Sequence, residues 1–588
     1  MNYKWMFVFG LLLSQYAATA PIPAQKADIV FKNGLIYTVN PQQPWAQAVA
    51  ISSQNIVYVG DDKTVTSFIG PKTNVIDMQQ KLMLPGLHDN HIHPALGVFF
   101  ENHLVNIKAT SKQDMLNKLA LAAKQHQNKG WIVAYGLDST DSPDFISEKI
   151  NKHDLDSIAP DKIVVILSRD AHTAWLNSRA LDYFHITKDT PDPETGKIVR
   201  EMKTGEPLGG LVDKPSINVL KQVLESSPYA IKMPDLLKEA IVRLNKLGIT
   251  SFVDALGYDD IIKGYHDLET QHQLTARVGI ASVVTAPDFE QTIPHFAQMR
   301  EQYTVTDKLY PRWIKVIVDG NPDDHLSYLL KPYNDVNQVG HSYWRPKTHN
   351  AMVALASRLG MTTYSHVIGD GAVHEALDAI EASQQTSNKQ GLRHVLTHDF
   401  MVSPSDLPRF NKLHVIADIQ EGWLAPAYSG GAPGSNATKY LIPFLGKERA
   451  YRTLPFRALF DANATLTGGS DWYYTNLNPW ENIYTGLTSK DPHIPSEAML
   501  PTHTLTVPTL IKMHTINGAF LMYQEKITGS IEVGKRADLI ILNQNIFKIP
   551  VEDIRKTSVL LTLFDGKILY NNYRTARVSK GYDSEPRA

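Results

Sequence analysis

The chain has 588 residues, 43% of them hydrophobic, enough for a barrel of roughly 250–400 residues plus an accessory domain. Its 58 basic and 60 acidic side chains leave a net charge of −2 with no block of one sign, which argues against nucleic acid as a partner. It contains no cysteine, so disulfides, thiolate metal ligands and a lipid-anchored N-terminus are excluded.

In chain order, the first segment reads as an export signal over residues 1–20. Lys4 precedes an apolar stretch at 5–13, and the small-residue run Ala17-Ala18-Thr19-Ala20 follows. The stretch is too short to favour a transmembrane helix, so a periplasmic bacterial protein with no membrane span in its mature chain is expected. Pro21 disfavours cleavage just before it. Cleavage elsewhere, retention as an anchor, or a buried N-terminal strand or helix are the alternatives.

Residues 28–39 and 48–59 alternate apolar and polar side chains around turn signals at Asn33-Gly34 and Asn55, predicting short antiparallel strands. The pattern returns at 537–542 and 559–570. Segments 27–83 and 526–580 are therefore expected to form one small β-sandwich from both termini, flanking an α/β middle at 84–525. In that middle, strand-like runs at 163–167, 249–253, 277–284 and 314–318 alternate with amphipathic runs at 236–247, 350–359, 373–382 and 508–517. This is the rhythm of βα units and predicts a (β/α)8 barrel. Residues 186–230, broken by Pro and Gly, read as an insertion, either a lid or substrate wall or a purely structural excursion. Residues 425–450 read as a loop near the same mouth.

His91-Ile92-His93 follows the apolar run 82–87, where the first barrel strand is expected to end. Alternate residues on a strand point the same way, so the two imidazoles can grip one cation. Three later β-prone runs also end in a potential ligand, at His366, His398 and Asp471. Strand ends of a barrel converge on one mouth, and imidazoles with a carboxylate suit zinc or a similar divalent ion. Each histidine taken singly is more often structural; the four segments together reverse that expectation.

Leu84-Pro85-Gly86-Leu87-His88-Asp89-Asn90-His91-Ile92-His93 resembles the PG(F/L)xDxHxH signature of the amidohydrolase superfamily. Further matches follow in order: His172 before Trp175-Leu176-Asn177-Ser178, Lys315 to Gly320, His366 to Asp370, Arg393-His394 with His398, Gly469-Ser470-Asp471-Trp472, and Gly529 to Leu539. Over about residues 27–575 the chain is similar to that superfamily's family 3, the YtcJ-like branch.

The resemblance implies two zinc ions, with His91, His93 and Asp471 on the first, His366 and His398 on the second, and Lys315, carboxylated to a carbamate, bridging them. The alternative keeps Lys315 an ordinary lysine, paired with a carboxylate such as Asp319 or facing substrate. Asp471 is the expected proton shuttle. His172 is expected at the substrate carbonyl or oxyanion, or else is a hydrogen-bonded loop histidine. Asp89 could orient a ligand histidine from behind. Arg393 could hold a substrate carboxylate or form a structural ion pair. Trp472, Tyr473, Tyr474 and Trp480 could form a substrate wall or pack the core. In place of the family's small-residue loop of the DGSxGSRTA type stands Asp319-Gly320-Asn321-Pro322-Asp323-Asp324-His325, so His325 or Asp324 could meet substrate. The implied activity is hydrolysis of a non-peptide C–N bond in a small molecule. An ester or lactone hydrolase, a heterocycle deaminase, or an inactive binding protein are the competing readings. A homodimer is left open beside a monomer.

Overall fold

The computed structural model describes residues 26–107, 112–125, 130–137, 151–168, 173–193, 196–322, 325–386, 389–426 and 437–573. Eight parallel strands form its centre. They are β1 (Leu87–Ile92), β2 (Ile249–Gly257), β3 (Arg277–Val283), β4 (Leu309–Ile317), β5 (Thr362–Val367), β6 (Val395–His398), β7 (Ile416–Ile419) and β8 (Thr465–Gly468), each paired with its neighbour in sequence. Most of their residues are buried, as expected for parallel strands covered on both faces. The ring closes between β1 and the end of β8: Asp471 N donates to His91 O and His93 N to Trp472 O, both at 2.7 Å. Gly469 permits that approach, because a Cβ there would lie 2.6 Å from His91 N.

Helices Met233–Lys246, Asp259–Thr270, Phe289–Tyr303, Pro346–Arg358 and Asp370–Thr386 carry the chain between strands. Each turns an apolar stripe inward, such as Leu236, Leu237, Ala240, Ile241 and Leu244 on the first. The helix expected at 508–517 is instead two short ones, Val507–Met513 and Ile516–Leu521, broken at His514-Thr515. Leu521 and Met522 pack with Val253, Trp313, Tyr364, Val395 and Ile416 of the barrel strands.

Two further sheets share one apolar core that joins Phe31, Val49 and Ile51 with Leu539, Ile541, Leu561 and Leu563. One runs Asn55–Gly60, Ala48–Ser52, Ile29–Lys32, Asn74–Asp77; the other runs Lys567–Asn571, Val559–Phe564, Leu539–Leu542, Leu82–Pro85, Leu35–Tyr37, Trp45–Ala46. Both chain ends thus contribute to the β-sandwich. The apolar run after residue 81 belongs to this layer, not to the barrel: Leu82–Pro85 pairs with Leu539–Leu542, and the chain crosses into β1 at Gly86.

The strand at 163–167 is also placed differently from the sequence expectation. Ile163–Ser168 lies in a separate six-stranded sheet between β1 and β2, ordered Gly196–Arg200, Pro207–Asp213, Thr173–Leu176, Ile163–Ser168, Trp131–Leu137, Val105–Asn106. A short all-apolar run suits any strand buried on both faces, so its local pattern carries no information about which sheet receives it. Residues 186–230 are accordingly the edge of this sheet plus helix Lys214–Ser226, rather than an irregular excursion. Among the described residues, no helix is long and apolar enough to cross a membrane.

Candidate metal centre

The C-terminal ends of five barrel strands bring the expected ligands together. His91 Nε2 lies 3.6 Å and His93 Nε2 3.2 Å from Asp471 Oδ1. Ligand atoms of these three residues all fall within 4.8 Å of one another, so they can hold one ion. Lys315 Nζ lies 3.2 Å from His91 Nε2. The His398 ring stands 4.9 Å from that of His91 and 4.4 Å from that of His366, centroid to centroid. All six side chains singled out in the sequence thus form one cluster.

Two of them sit on backbone in the left-handed region, Asp471 at φ 53° and His398 at φ 74°. Adjacent side chains of a regular strand point to opposite faces. The turn at His398 lets both it and Thr397 face the cluster: Thr397 Oγ1 is 2.7 Å from His91 Nδ1. Left-handed conformations of non-glycine residues cost on the order of 1–3 kcal/mol and concentrate at functional sites.

Hydrogen bonds behind the rings set their tautomers. Thr397 donates to Asp418 Oδ2 at 3.0 Å, so its lone pair accepts from His91 Nδ1–H and leaves Nε2 unprotonated, its lone pair facing the cluster. The Gln420 carbonyl oxygen lies 2.7 Å from His398 Nδ1 and does the same there. Gln420 Nε2 in turn donates to Asp418 at 3.1 Å, and Tyr364 Oη donates to the same carboxylate at 2.7 Å. Burial pushes the Asp418 carboxyl up to about 7, against these hydrogen bonds. None of Thr397, Asp418, Gln420 or Tyr364 was picked out from the sequence. The signal that could have found two of them is the pair of polar residues Asp418 and Gln420 spaced by two at the end of the apolar strand β7.

Burial, reinforced by the neighbouring cationic groups, holds His91 and His398 well below the ordinary imidazole range, so both rings are neutral. Burial also lowers Lys315 to about 8, with Asp471 and Asp418 opposing. A metal fits this donor set: the buried, neutral imidazoles of His91 and His398, each fixed from behind, with the half-buried rings of His93 and His366 and one carboxylate beside them. The neutral amine favoured by burial of Lys315 is also the form that combines with carbon dioxide.

The remaining expectations divide. Asp89 contacts no ligand ring; its Oδ1 accepts from Ser470 N at 2.8 Å and so braces the turn that carries Asp471. Asp319 is not the partner of Lys315, because its carboxylate accepts from the backbone N–H groups of Tyr328, Ile368 and Gly369. Arg393 precedes β6, at the opposite end from His398, and pairs with Glu525 at 2.7 Å beneath Phe520 and Tyr523, which corrects the substrate-binding expectation in favour of a structural ion pair. His325 pairs with Asp335 at 2.9 Å and packs on Tyr333 and Phe444, tying the loop after β4 to helix Ala437–Ala450. Trp472 is fully buried against Gly97 with its indole N–H on Glu101, and Trp480 is buried as well, so neither is an exposed wall. Tyr473 and Tyr474 are half-buried beside the cluster. His172, Asp324 and residues 427–436 lie outside the described residues, as does the N-terminal segment 1–20.

The amidohydrolase family model matches residues 74–570. The chain is 28% identical to Protein LONG AFTER FAR-RED 3 of Arabidopsis thaliana over 92% of each chain. It is 23% identical to an N-substituted formamide deformylase of Arthrobacter pascens, over 93% of this chain and 99% of that one. Among solved structures, an uncharacterized metal-dependent hydrolase from Pyrococcus horikoshii superposes with a TM-score of 0.70 at 20% identity, covering 89% of this chain and 99% of that one.

Proposed function

Because the chain belongs to the amidohydrolase family, a family of metal-dependent hydrolases, we propose that it hydrolyses a non-peptide C–N bond of a small molecule: an amide, N-acyl, N-formyl or cyclic amide. The observation that carries this reading is the convergence of His91, His93 and Asp471 around one point, with Lys315, His366 and His398 alongside. In the full assignment His91, His93 and Asp471 would hold one zinc ion and His366 and His398 a second, with Lys315, as a carbamate, a ligand shared by both.

When bound, such ions supply a water acidic enough to act as nucleophile near neutral pH and positive charge for the carbonyl oxygen. The chain's own work is positioning and proton transfer. The Asp471 carboxylate, 3.2 Å from His93 Nε2, takes a proton from the attacking water as the C–O bond forms. It then delivers that proton to the nitrogen as the C–N bond breaks, releasing an amine and a carboxylic acid. Transfer by a positioned carboxyl typically contributes about 10²–10⁴ in rate. His172 is assigned to the carbonyl oxygen on the sequence match alone. The same nucleophile would attack an ester, a lactone or a ring carbon bearing an amino group. The relative that cleaves N-substituted formamides favours the C–N reading. We further propose that residues 1–20 direct export to the periplasm, which the mass of the chain recovered from a bacterial host would check.

The test combines plasma mass spectrometry for metal with turnover of matched amides and esters. The expected result is about two zinc-like ions per chain, fewer in Lys315→Ala, and faster turnover of amides than of esters relative to their uncatalysed rates. Asp471→Asn should lower kcat by about 10²–10⁴. Absence of metal binding after supplementation would replace the hydrolase with a binding role, and an unchanged metal count in Lys315→Ala would remove the bridge.

A further inference from the structure

Resting on the hydrolase reading, we propose that Ile317 is the wall against which the acyl group of the substrate lies, so that the site prefers amides whose acyl portion is a short, uncharged aliphatic chain. Among the described residues of the eight barrel strands, Ile317 is the one that is exposed, at 38%. It is the last residue of β4, and two independent observations fix the direction of its side chain. Alternate residues of a strand share a face, and Lys315, two positions earlier, points to the barrel axis with Nζ 3.2 Å from His91 Nε2. In the parallel pairing with β5, Ile317 stands beside His366, whose ring is 4.4 Å from that of His398. Val316, on the opposite face, is packed into the main apolar core.

A single exposed aliphatic side chain on the outside of a protein is ordinary. Ile317 instead lies on the inner face of the barrel, directly above Lys315, which is only 4% exposed. The interior is closed below that level, so the open surface of Ile317 looks into the mouth above the ligand cluster. Its backbone is held on both sides. Val318 N donates to His366 O at 3.1 Å, and the buried Trp344 donates its indole N–H to Ile317 O at 3.0 Å. The isoleucine is therefore a fixed wall and not the frayed end of a strand.

The position of Asp471 decides which part of the substrate meets this wall. Asp471 follows β8, and β4 and β8 stand on opposite sides of the eight-stranded ring. In the proposed reaction the scissile nitrogen turns towards Asp471 to receive its proton. The substituents of an acyl carbon diverge, so the acyl chain then turns towards β4 and Ile317. An aliphatic chain removes apolar surface from water there, whereas a carboxylate in the same place loses water without gaining a hydrogen bond from the isoleucine side chain.

The test measures, by calorimetry, binding of acetohydroxamate, butyrohydroxamate and succinic monohydroxamate to the zinc-loaded full chain, with hydrolysis of acetamide, butyramide and succinamate followed in parallel. Each hydroxamate carries the acyl chain of the matching amide to the zinc without needing turnover. Butyrohydroxamate should bind about threefold to tenfold more tightly than acetohydroxamate, because its two additional methylenes are covered on one side, and succinic monohydroxamate should bind most weakly. Ile317→Asn should bring the butyro to aceto ratio towards one, while Ile317→Val keeps it. Zinc content and melting temperature are recorded for every variant, since an isoleucine with only a structural role would move those and leave the ratio alone. If Ile317→Asn fails to load zinc, Ile317→Thr, which keeps the branched shape, decides in its place. Equal or weaker binding of butyrohydroxamate, tightest binding of succinic monohydroxamate, a ratio unaltered by the polar variant, or no binding of any of the three would overturn the proposal. Turnover of the amides without the expected ratio would overturn the wall and leave hydrolysis standing. The expected ratio with no turnover of any amide would overturn the hydrolytic reading and leave the apolar wall standing.

Discussion

Gln420 illustrates how much of this site depends on residues that touch no substrate. Its carbonyl oxygen accepts from His398 Nδ1–H, and its amide N–H groups reach Asp418, which also receives Thr397 and Tyr364. One buried carboxylate therefore sets the orientation of rings on β1 and β6 at once. Loss of a hydrogen-bond partner of this type typically costs about 10–100-fold in metal affinity. Gln420→Leu, similar in size but without an acceptor, should release metal at correspondingly lower chelator concentration while keeping the fold, as competition with a chromophoric chelator would report. An unchanged affinity would mean that stacking on Trp423 alone orients His398.

At the scale of elements, the seam between β1 and β8 is the narrowest part of the design. His91 and Asp471 are hydrogen-bonded to each other through the backbone across that seam, and Gly469 is the residue that lets the two strands touch. Gly469→Ala places a methyl where only about 2.6–2.7 Å is available against His91. Overpacking of this kind costs about 1–3 kcal/mol. Here it should also lower bound metal, measured by denaturant titration and metal analysis on one preparation; a stability loss with full metal content would show that the seam yields elsewhere. Behind β8, His514 Nε2 lies 3.1 Å from Glu421, joining the C-terminal helices to the turn after β7. Burial alone would lower the imidazole pKa, but the Glu421 carboxylate outweighs it and raises His514 from 6.5 to about 9. The folded state then holds the proton more tightly than the unfolded chain. The pair's contribution is complete below about pH 6.5 and disappears as pH rises through about 9. Unfolding midpoints of the native chain should therefore fall more steeply between pH 7 and about 10 than those of His514→Gln; parallel slopes would sink this linkage.

At the scale of the whole molecule, the sandwich is fastened to the barrel by a buried arginine. Arg277, at the start of β3, has no exposed surface and donates to Asp538 at 2.9 Å and Asp565 at 2.5 Å, both from the C-terminal strands and turns, with Asp307 at 3.3 Å. Removing one partner of a buried ion pair costs about 3–5 kcal/mol, because the remaining charges lose their counter-ion. Arg277→Leu should lower the unfolding free energy from urea titration by that amount, and an unchanged value would show that the apolar core shared by the two termini suffices. By itself the sequence determined the βα rhythm, the two-ended sandwich and the six side chains that the fold gathers at one mouth, because strand periodicity and a polar residue at a strand's end are local properties that survive without knowledge of the partners. Only the tertiary structure decided that residues 163–168 belong to an inserted sheet, that Leu82–Pro85 belongs to the sandwich, that Arg393 faces Glu525, and that Thr397, Asp418, Gln420 and Trp423 surround His91 and His398. Those assignments depend on pairings between segments tens to hundreds of residues apart, and a buried polar or aromatic side chain reads the same in sequence whether it supports a metal ligand or merely fills the core.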